Sequence, residues 1–429
     1  MKKYFLITIT ALMAVMVWSC KKDKNGDDFN DNSNPDPNGP PWGIELTIEN
    51  IIGQGPFFFR VAGAGTFTID WGDGTKQENM QMPQLEEVPE DVDVYSFPAF
   101  SHKYEYGGPY QVKVFGQGGV TLFNVNSAIA CSSLLLDNCS QLKYLNCRYN
   151  QLTSLDISGC SQLKYLDCRH NLLTSLDISN CPQLRKLDCG ENLLTSLDVS
   201  GQTELQTVVC KGNLLSTLNT SGCTKLEELE CQDNLLLTSL NVSKCTQLEK
   251  LECWNNLLTS LDINQCPQLE YLWCSWNRLT SLDVSQCPQL KSLSCRSNGL
   301  TSLDASGCTQ LKGLDCGENQ LASLNVSKCT QLEKLDCGEN QLASLNVSKC
   351  TQLEKLDCWN NRLTSLDVSG CTKLERLECY INQLSEVAMN KIYFDLPPVK
   401  SQQGVLEIDK KNAGNYVIAK RKGWVVYFH

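Results

Sequence analysis

The 429-residue sequence predicts a mostly β fold: a solenoid of about twelve 21-residue coils, preceded by a small β-sandwich and closed by a small α/β cap. Three observations carry this reading. The stretch CGENQLASLNVSKCTQLEKLD fills residues 316–336 and recurs letter for letter at 337–357. The same period runs through a cysteine column, Cys147, Cys168, Cys189, Cys210, Cys231, Cys253, Cys274, Cys295, Cys316, Cys337, Cys358 and Cys379, at steps of 21 with one step of 22. Within a unit apolar Leu145 and Cys147 flank polar Asn146, the alternation of a short strand with one buried face. One such unit cannot bury its own apolar residues, whereas a stack of them builds a continuous core.

The elements follow in order. Residues 1–19, with two early lysines, an apolar run and small Ser19 before Cys20, read as a signal peptide. Val17, Trp18, Ser19 and Cys20 resemble the lipobox of bacterial lipoproteins, which implies that Cys20 carries a lipid and that the membrane is met through this anchor alone. Residues 20–42 are rich in Asn, Asp, Pro and Gly and read as a disordered tether. The charged Lys21–Lys24 run resembles signals that send some Gram-negative lipoproteins to the outer face of the outer membrane, so cell-surface exposure is expected.

Residues 43–119 form the next module. Phe67 and Ile69 alternate with Thr68 and Asp70 before the turn Gly72-Asp73-Gly74, and Tyr110, Val112 and Val114 alternate likewise. An acidic insert around Glu86, Glu87, Glu90, Asp91 and Asp93 lies between them. The pairing of Trp71-Gly-Asp-Gly-Thr75 with His102-x-Tyr104 and the segment from Gly108 to Val114 resembles the PKD-type immunoglobulin-like sandwich. Asp70 and Asp73 are assigned to the turn rather than to a calcium or catalytic pair.

The array spans residues 120–382. Each unit reads L-x-x-L-x-C-x-x-N-x-L-x-x-L-D-V-S-x-C-x-x, and it resembles the short, internalin-like leucine-rich repeats of bacterial surface proteins. The asparagine column from Asn150 to Asn382 follows each strand, where its amides can satisfy backbone groups. A second cysteine column runs from Cys139 to Cys371, broken once by Gln202. No close Cys pairs or neighbouring histidines suggest a metal. Stacked neighbours lie near disulfide range, but parallel Cβ vectors oppose the required torsion, which favours packing residues in a narrow core. Residues 383–429 are expected to cap the array, with a helix through Val387, Ile392 and Leu396 stopped by Pro397 and Pro398, then the segment GVLEID at Gly404–Asp409, a second short helical stretch near 413–422 and the closing GWVVYF. The ending A-x-x-K-G-W-x-V resembles the tails of similar repeat lipoproteins.

A net charge of −11 and a pI near 5.0 oppose nucleic acid as a partner. Three scattered histidines and the absence of hydrolase, zincin or phosphate-loop signatures oppose catalysis, so no enzyme and no cofactor is expected. The acidic column, including Asp167, Asp188, Glu252, Asp315, Asp336, Asp357 and Glu378, reads as a solvated face. Exposed aromatics point instead to binding. Trp254, Tyr271, Trp273 and Trp276 fall on neighbouring coils, Trp359 and Tyr380 form a smaller pair, and Tyr144, Tyr149 and Tyr165 a third group. The function expected is binding of a protein on the strand face, in interaction or adhesion; a glycan-capturing accessory lipoprotein of a polysaccharide uptake system is the alternative. A monomer is expected.

Overall fold

The computed structural model describes residues 42–49, 55–85, 87, 89, 92–126, 130–399 and 404–429. The expected signal peptide, Cys20 and all of the tether before Trp42 lie outside the described residues, as do Glu86, Glu90 and Asp91 of the acidic insert.

Eight strands build the N-terminal part: β1 Trp42–Ile48, β2 Phe57–Ala64, β3 Thr66–Asp70, β4 Lys76–Gln81, β5 Phe100–His102, β6 Tyr110–Gly116, β7 Gly119–Asn124 and β8 Cys131–Asp137. One antiparallel sheet has the order β4-β3-β6-β1-β8. Facing it, β2 pairs antiparallel with both β5 and β7. Alternate residues of β1, namely Trp42, Ile44, Leu46 and Ile48, are buried, as a sheet with one covered face requires. Phe59 joins the layers, its ring 5.8 Å from Trp71, 6.0 Å from Phe100 and 5.6 Å from Phe123. Asp70 and Asp73 accept the amides of Gly72 and Thr75, each at 3.0 Å, and so hold the turn.

Strand β7 belongs to two structures at once. It is antiparallel to β2 and also parallel to Tyr144–Asn146, the strand of the first cysteine-bearing coil. The sheet then continues through one three-residue strand per coil to Arg376–Glu378, with Leu145, Leu166 and Leu187 in register and so on along the array. The expected boundary at 119/120 therefore falls on a shared strand, and β8 beyond it pairs back onto β1. On the opposite side of the coils the extended segments pair where Ser196–Asp198 meets Thr217–Asn219 and where Ser302–Asp304 meets Ser323–Asn325.

Two ladders hold the coils together. Each repeat asparagine spans neighbouring coils: Asn340 Nδ2 donates to the carbonyls of Cys316 (3.0 Å) and Cys337 (3.1 Å), while its Oδ1 accepts the Leu321 amide at 2.9 Å. The second cysteine column does more than fill space. Cys223 Sγ donates to Val199 O at 3.1 Å, Cys308 to Val284 O at 3.5 Å and Cys329 to Ala305 O at 3.3 Å. Where the column breaks, Gln202 Nε2 donates to Ile178 O at 3.1 Å, the equivalent acceptor. The 22-residue step is absorbed by a turn after Asn234 that pushes Leu236 into solvent.

Helix α1, Glu386–Asp395, starts where Ser385 accepts the Ala388 amide at 3.2 Å. It buries Met389, Ile392 and Tyr393, whereas Val387, expected on the inner face, is exposed because the helix packs through a different stripe. Strands Gly404–Ile408 and Trp424–Phe428 continue the solenoid sheet in parallel, with the short helix Val417–Arg421 between them.

Candidate functional site

Inward strand positions are committed to the core, so chemistry open to a partner lies on the outward side chains of the long parallel sheet. The carboxylate column is only in part the solvated face expected: Asp167, Glu230, Asp315, Asp336 and Asp357 are partly exposed. Asp188, Glu252 and Glu378 are buried, because neighbouring side chains along a ladder of closely spaced strands pack over one another. A few cations bridge the column. Lys250 Nζ lies 2.8 Å from Glu228 and 2.7 Å from both Glu230 and Glu252. Arg296 reaches Glu318 at 2.6 Å and, across Gly317, Asp336 at 2.8 Å. Arg376 joins Glu378 and Glu407. Burial, reinforced by the neighbouring Glu378 and Asp336 carboxylates, raises Asp357 to about 7; burial beside Asp188 raises Asp167 to about 6.

The aromatic residues separate into distinct groups. Trp254, Trp273 and Trp276 line one open cavity of about 340 Å3, completed by Ser275, Ser294, Arg296 and Asp315. Its shape follows from the sequence. The residue after the first-column cysteine is Trp254, Ser275 and Arg296 in three successive coils, and the residue before it is Trp273, Ser294 and Asp315 one coil further on. Two small side chains thus sit diagonally between large ones, leaving a hollow. The two hydroxyls are hydrogen-bonded to each other at 2.7 Å. Trp254 and Trp276 meet edge to face, centroids 6.2 Å apart, and Trp276 is 54% exposed. Trp273 Nε1 donates to Ser292 Oγ at 3.3 Å, and Lys250 Nζ stands 5.9 Å from the Trp273 ring.

Tyr271 is exposed at the start of its strand and does not line this cavity. Trp359 and Tyr380 lie further along the array in a stack with rings 5.4 Å apart, and His429, which the sequence did not single out, adds a third ring 3.9 Å from Tyr380. Their faces are turned onto each other, and the Trp359 indole crosses Gly338, where an added Cβ would lie 2.6 Å from Nε1. At the other end, Tyr165 is buried beside Tyr144, and Tyr149 stacks on His170 at 4.4 Å. Among the described residues, no group of His, Cys, Asp or Glu has the arrangement to hold a metal ion.

Each first-column thiol is buried in the core. Burial pushes Cys274 up to about 12, which leaves it protonated and unreactive.

These stacked parallel coils, with an asparagine ladder behind each strand, define a leucine-rich repeat solenoid. A family model described as Leucine Rich repeats (2 copies) matches residues 140–179, 161–201 and 351–391. The functional domain of InlJ from Listeria monocytogenes, described as including a cysteine ladder, is similar at 34% identity over 63% of this chain and 64% of that one, with a TM-score of 0.51. This chain thus spans less than two thirds of that structure's length. The internalin InlF of the same organism shares 23% identity over 62% of this chain and 82% of its own, at a TM-score of 0.52. The plant peptide hormone receptor RGFR1, solved with RGF2, shares 21% over 63% and 52%, at 0.50. No curated protein matches the chain. The molecule has the leucine-rich repeat fold and resembles the bacterial internalin InlJ.

Proposed function

We propose that this protein is a lipid-anchored binding protein of the bacterial cell surface, using the strand face of its repeats to hold a protein ligand. The observation that carries the reading is the open indole-walled cavity of Trp254, Trp273 and Trp276 on an otherwise charged face. Three large apolar side chains around a hollow match the anchor pockets in which protein interfaces concentrate their affinity. Carboxylates border it on both sides, Glu228, Glu230 and Glu252 around Lys250, and Asp315, Glu318 and Asp336 around Arg296. The complementary ligand presents an apolar anchor residue flanked by basic ones. The stacked Trp359, Tyr380 and His429 extend the same face and serve as a secondary contact. Support for the anchor comes from the lipobox-like Val17–Cys20 and the tether behind it. The N-terminal sandwich is read as a PKD-like spacer.

The paired hydroxyls of Ser275 and Ser294 beneath the indoles favour one second reading, a sugar ring stacked on tryptophan in a glycan-capturing lipoprotein. A screen of the purified protein against arrayed peptides and glycans separates the two. The protein reading expects hits among basic peptides with an aromatic or aliphatic centre. Hits confined to glycans would reject it.

A further inference from the structure

The cavity walled by Trp254, Trp273 and Trp276 selects its occupant more narrowly than by apolar surface alone. The inference rests on the cavity being the ligand's anchor point and concerns the chemistry of the group that enters it. Two of the three indoles have their N–H groups engaged with residues outside the lining: Trp254 Nε1 donates to Glu252 at 3.4 Å and Trp273 Nε1 to Ser292 at 3.3 Å. These rings therefore offer an occupant carbon and π surface. The hydroxyls of Ser275 and Ser294 between them are bonded to each other at 2.7 Å. A group that brings several N–H or O–H donors would find little besides Asp315 to accept them and would lose water without replacement.

The surroundings are negative. Arg296, the one cation in the lining, lies 2.6 Å from Glu318, 2.8 Å from Asp336 and 3.8 Å from Asp315. On the other side Lys250 is shared by Glu228, Glu230 and Glu252. Six carboxylates around two cations leave an excess of negative charge, and the indole faces add the negative side of their quadrupoles. One ring already holds a cation, since Lys250 Nζ stands 5.9 Å from the Trp273 centroid. Trp254 and Trp276 meet at 69°, which makes a corner rather than a slot and suits a rounded group better than a flat ring.

A rounded group with an apolar surface, a positive charge and no N–H meets all of these conditions. We propose that the cavity binds a trimethylammonium group, carried by an N-trimethylated lysine of the protein ligand. Its methyls pack against the indoles, the acidic columns balance its charge, and no donor is left unpaired. Plain lysine keeps its N–H groups and a tight shell of water, so it is the weaker occupant.

Choline is the soluble probe of this group, and 3,3-dimethylbutan-1-ol is its neutral isostere, with carbon in place of nitrogen. Titration of the full chain with each, followed by tryptophan fluorescence, separates charge from shape. Choline is expected to act saturably with a Kd on the order of 1 mM, at least about tenfold tighter than the isostere. A peptide carrying trimethyllysine should displace choline at least about tenfold better than the same peptide with plain lysine. Trp276→Asn should weaken choline binding at least about tenfold, and Asp315→Asn about threefold, with the far-ultraviolet spectrum unchanged. Equal affinity for choline and its isostere, or choline binding untouched by Trp276→Asn, would overturn the proposal and leave the cavity as a purely apolar anchor, which the array hits test separately. Choline binding without preference for the methylated peptide would overturn the assignment to lysine and give the site to choline itself.

Discussion

Trp276 occupies a backbone conformation that does not suit it. The residue two places after the first-column cysteine is left-handed in coil after coil, at φ 53° for Trp276 and between 52° and 57° for Tyr149, Glu191, Asn255 and Glu339. The turn is held by ladder bonds, such as Trp276 N to Arg296 O at 2.9 Å, which fix it whatever residue stands there. Asparagine tolerates this region and a bulky side chain does not, so tryptophan costs about 1 kcal/mol here. Trp276→Asn is therefore expected to raise the melting temperature slightly while losing ligand, and a fall in both would point to a structural role. The carboxylates give a second residue-level expectation. Asp357 is raised from 3.8 to about 7, so the folded state holds its proton more tightly than the unfolded chain. The stability it contributes is complete below about pH 4 and is lost as pH rises through 7. The protein should melt higher at pH 5 than at pH 8, and Asp357→Asn should shrink that difference. The cysteine columns were legible as core, since their period matched the strands. The donor role of the second column was not, because the acceptors of Cys181, Cys223, Cys266, Cys308 and Cys329 lie 24 residues earlier on another coil. Gln202, the one break in the column, carried the signal: a polar residue replaced a thiol where only hydrogen bonding is shared. Gln202→Cys should keep the melting temperature, and Gln202→Leu should cost about 1 kcal/mol in chemical denaturation, since the Ile178 carbonyl loses one of its two donors and keeps only the Cys181 amide.

At the scale of elements, the coil is specified twice, by leucines that fill it and by the asparagine that ties it to the next. Removing Asn340 leaves the Leu321 amide unpaired and takes one of two asparagine donors from each of the Cys316 and Cys337 carbonyls, which keep Asn319 and Asn361, so Asn340→Ala should cost about 1–3 kcal/mol by denaturant titration. Binding at the indoles of Trp254, Trp273 and Trp276, three or more coils away, should survive it. The position and period of these elements could be read directly, because a 21-residue repeat written twelve times leaves little freedom. The ends were harder, since no repeat constrains them. Val387 fitted a helical stripe on paper, yet the stripe that packs runs through Met389, Ile392 and Tyr393. His429 joined Tyr380 only because Trp424–Phe428 extends the sheet, a pairing across roughly fifty residues that no local pattern encodes. Likewise the acidic column looked uniformly solvated in sequence, and only the close stacking of coils shows that Asp188, Glu252 and Glu378 are buried within it.

Residues 42–429, as far as they are described, build one long sheet, from β5 and β2 through β7 and the coils to Trp424–Phe428, with a second small sheet at its start. Such a body presents its outward side chains in fixed register, which suits recognition of an extended partner. If the anchor is as proposed, Cys20→Ser should move the protein from the membrane pellet to the soluble fraction or block its processing. Normal cleavage with retention at the membrane would reject the lipid. The choice of Trp254, Trp273 and Trp276 as partners was readable from their neighbouring coils; the hollow between them was not, since it depends on two serines set diagonally. The central claim is that this hollow anchors the ligand. Its most direct test measures the affinity of the purified protein and of the Trp273→Ala, Trp276→Ala double variant for the tightest array hit, by calorimetry. The account predicts a loss of at least about thirtyfold, about 2 kcal/mol, with far-ultraviolet circular dichroism unchanged. Equal affinity in the double variant, with binding abolished instead when Asp315, Asp336 and Asp357 are changed to asparagine, would contradict it and move recognition to the acidic column.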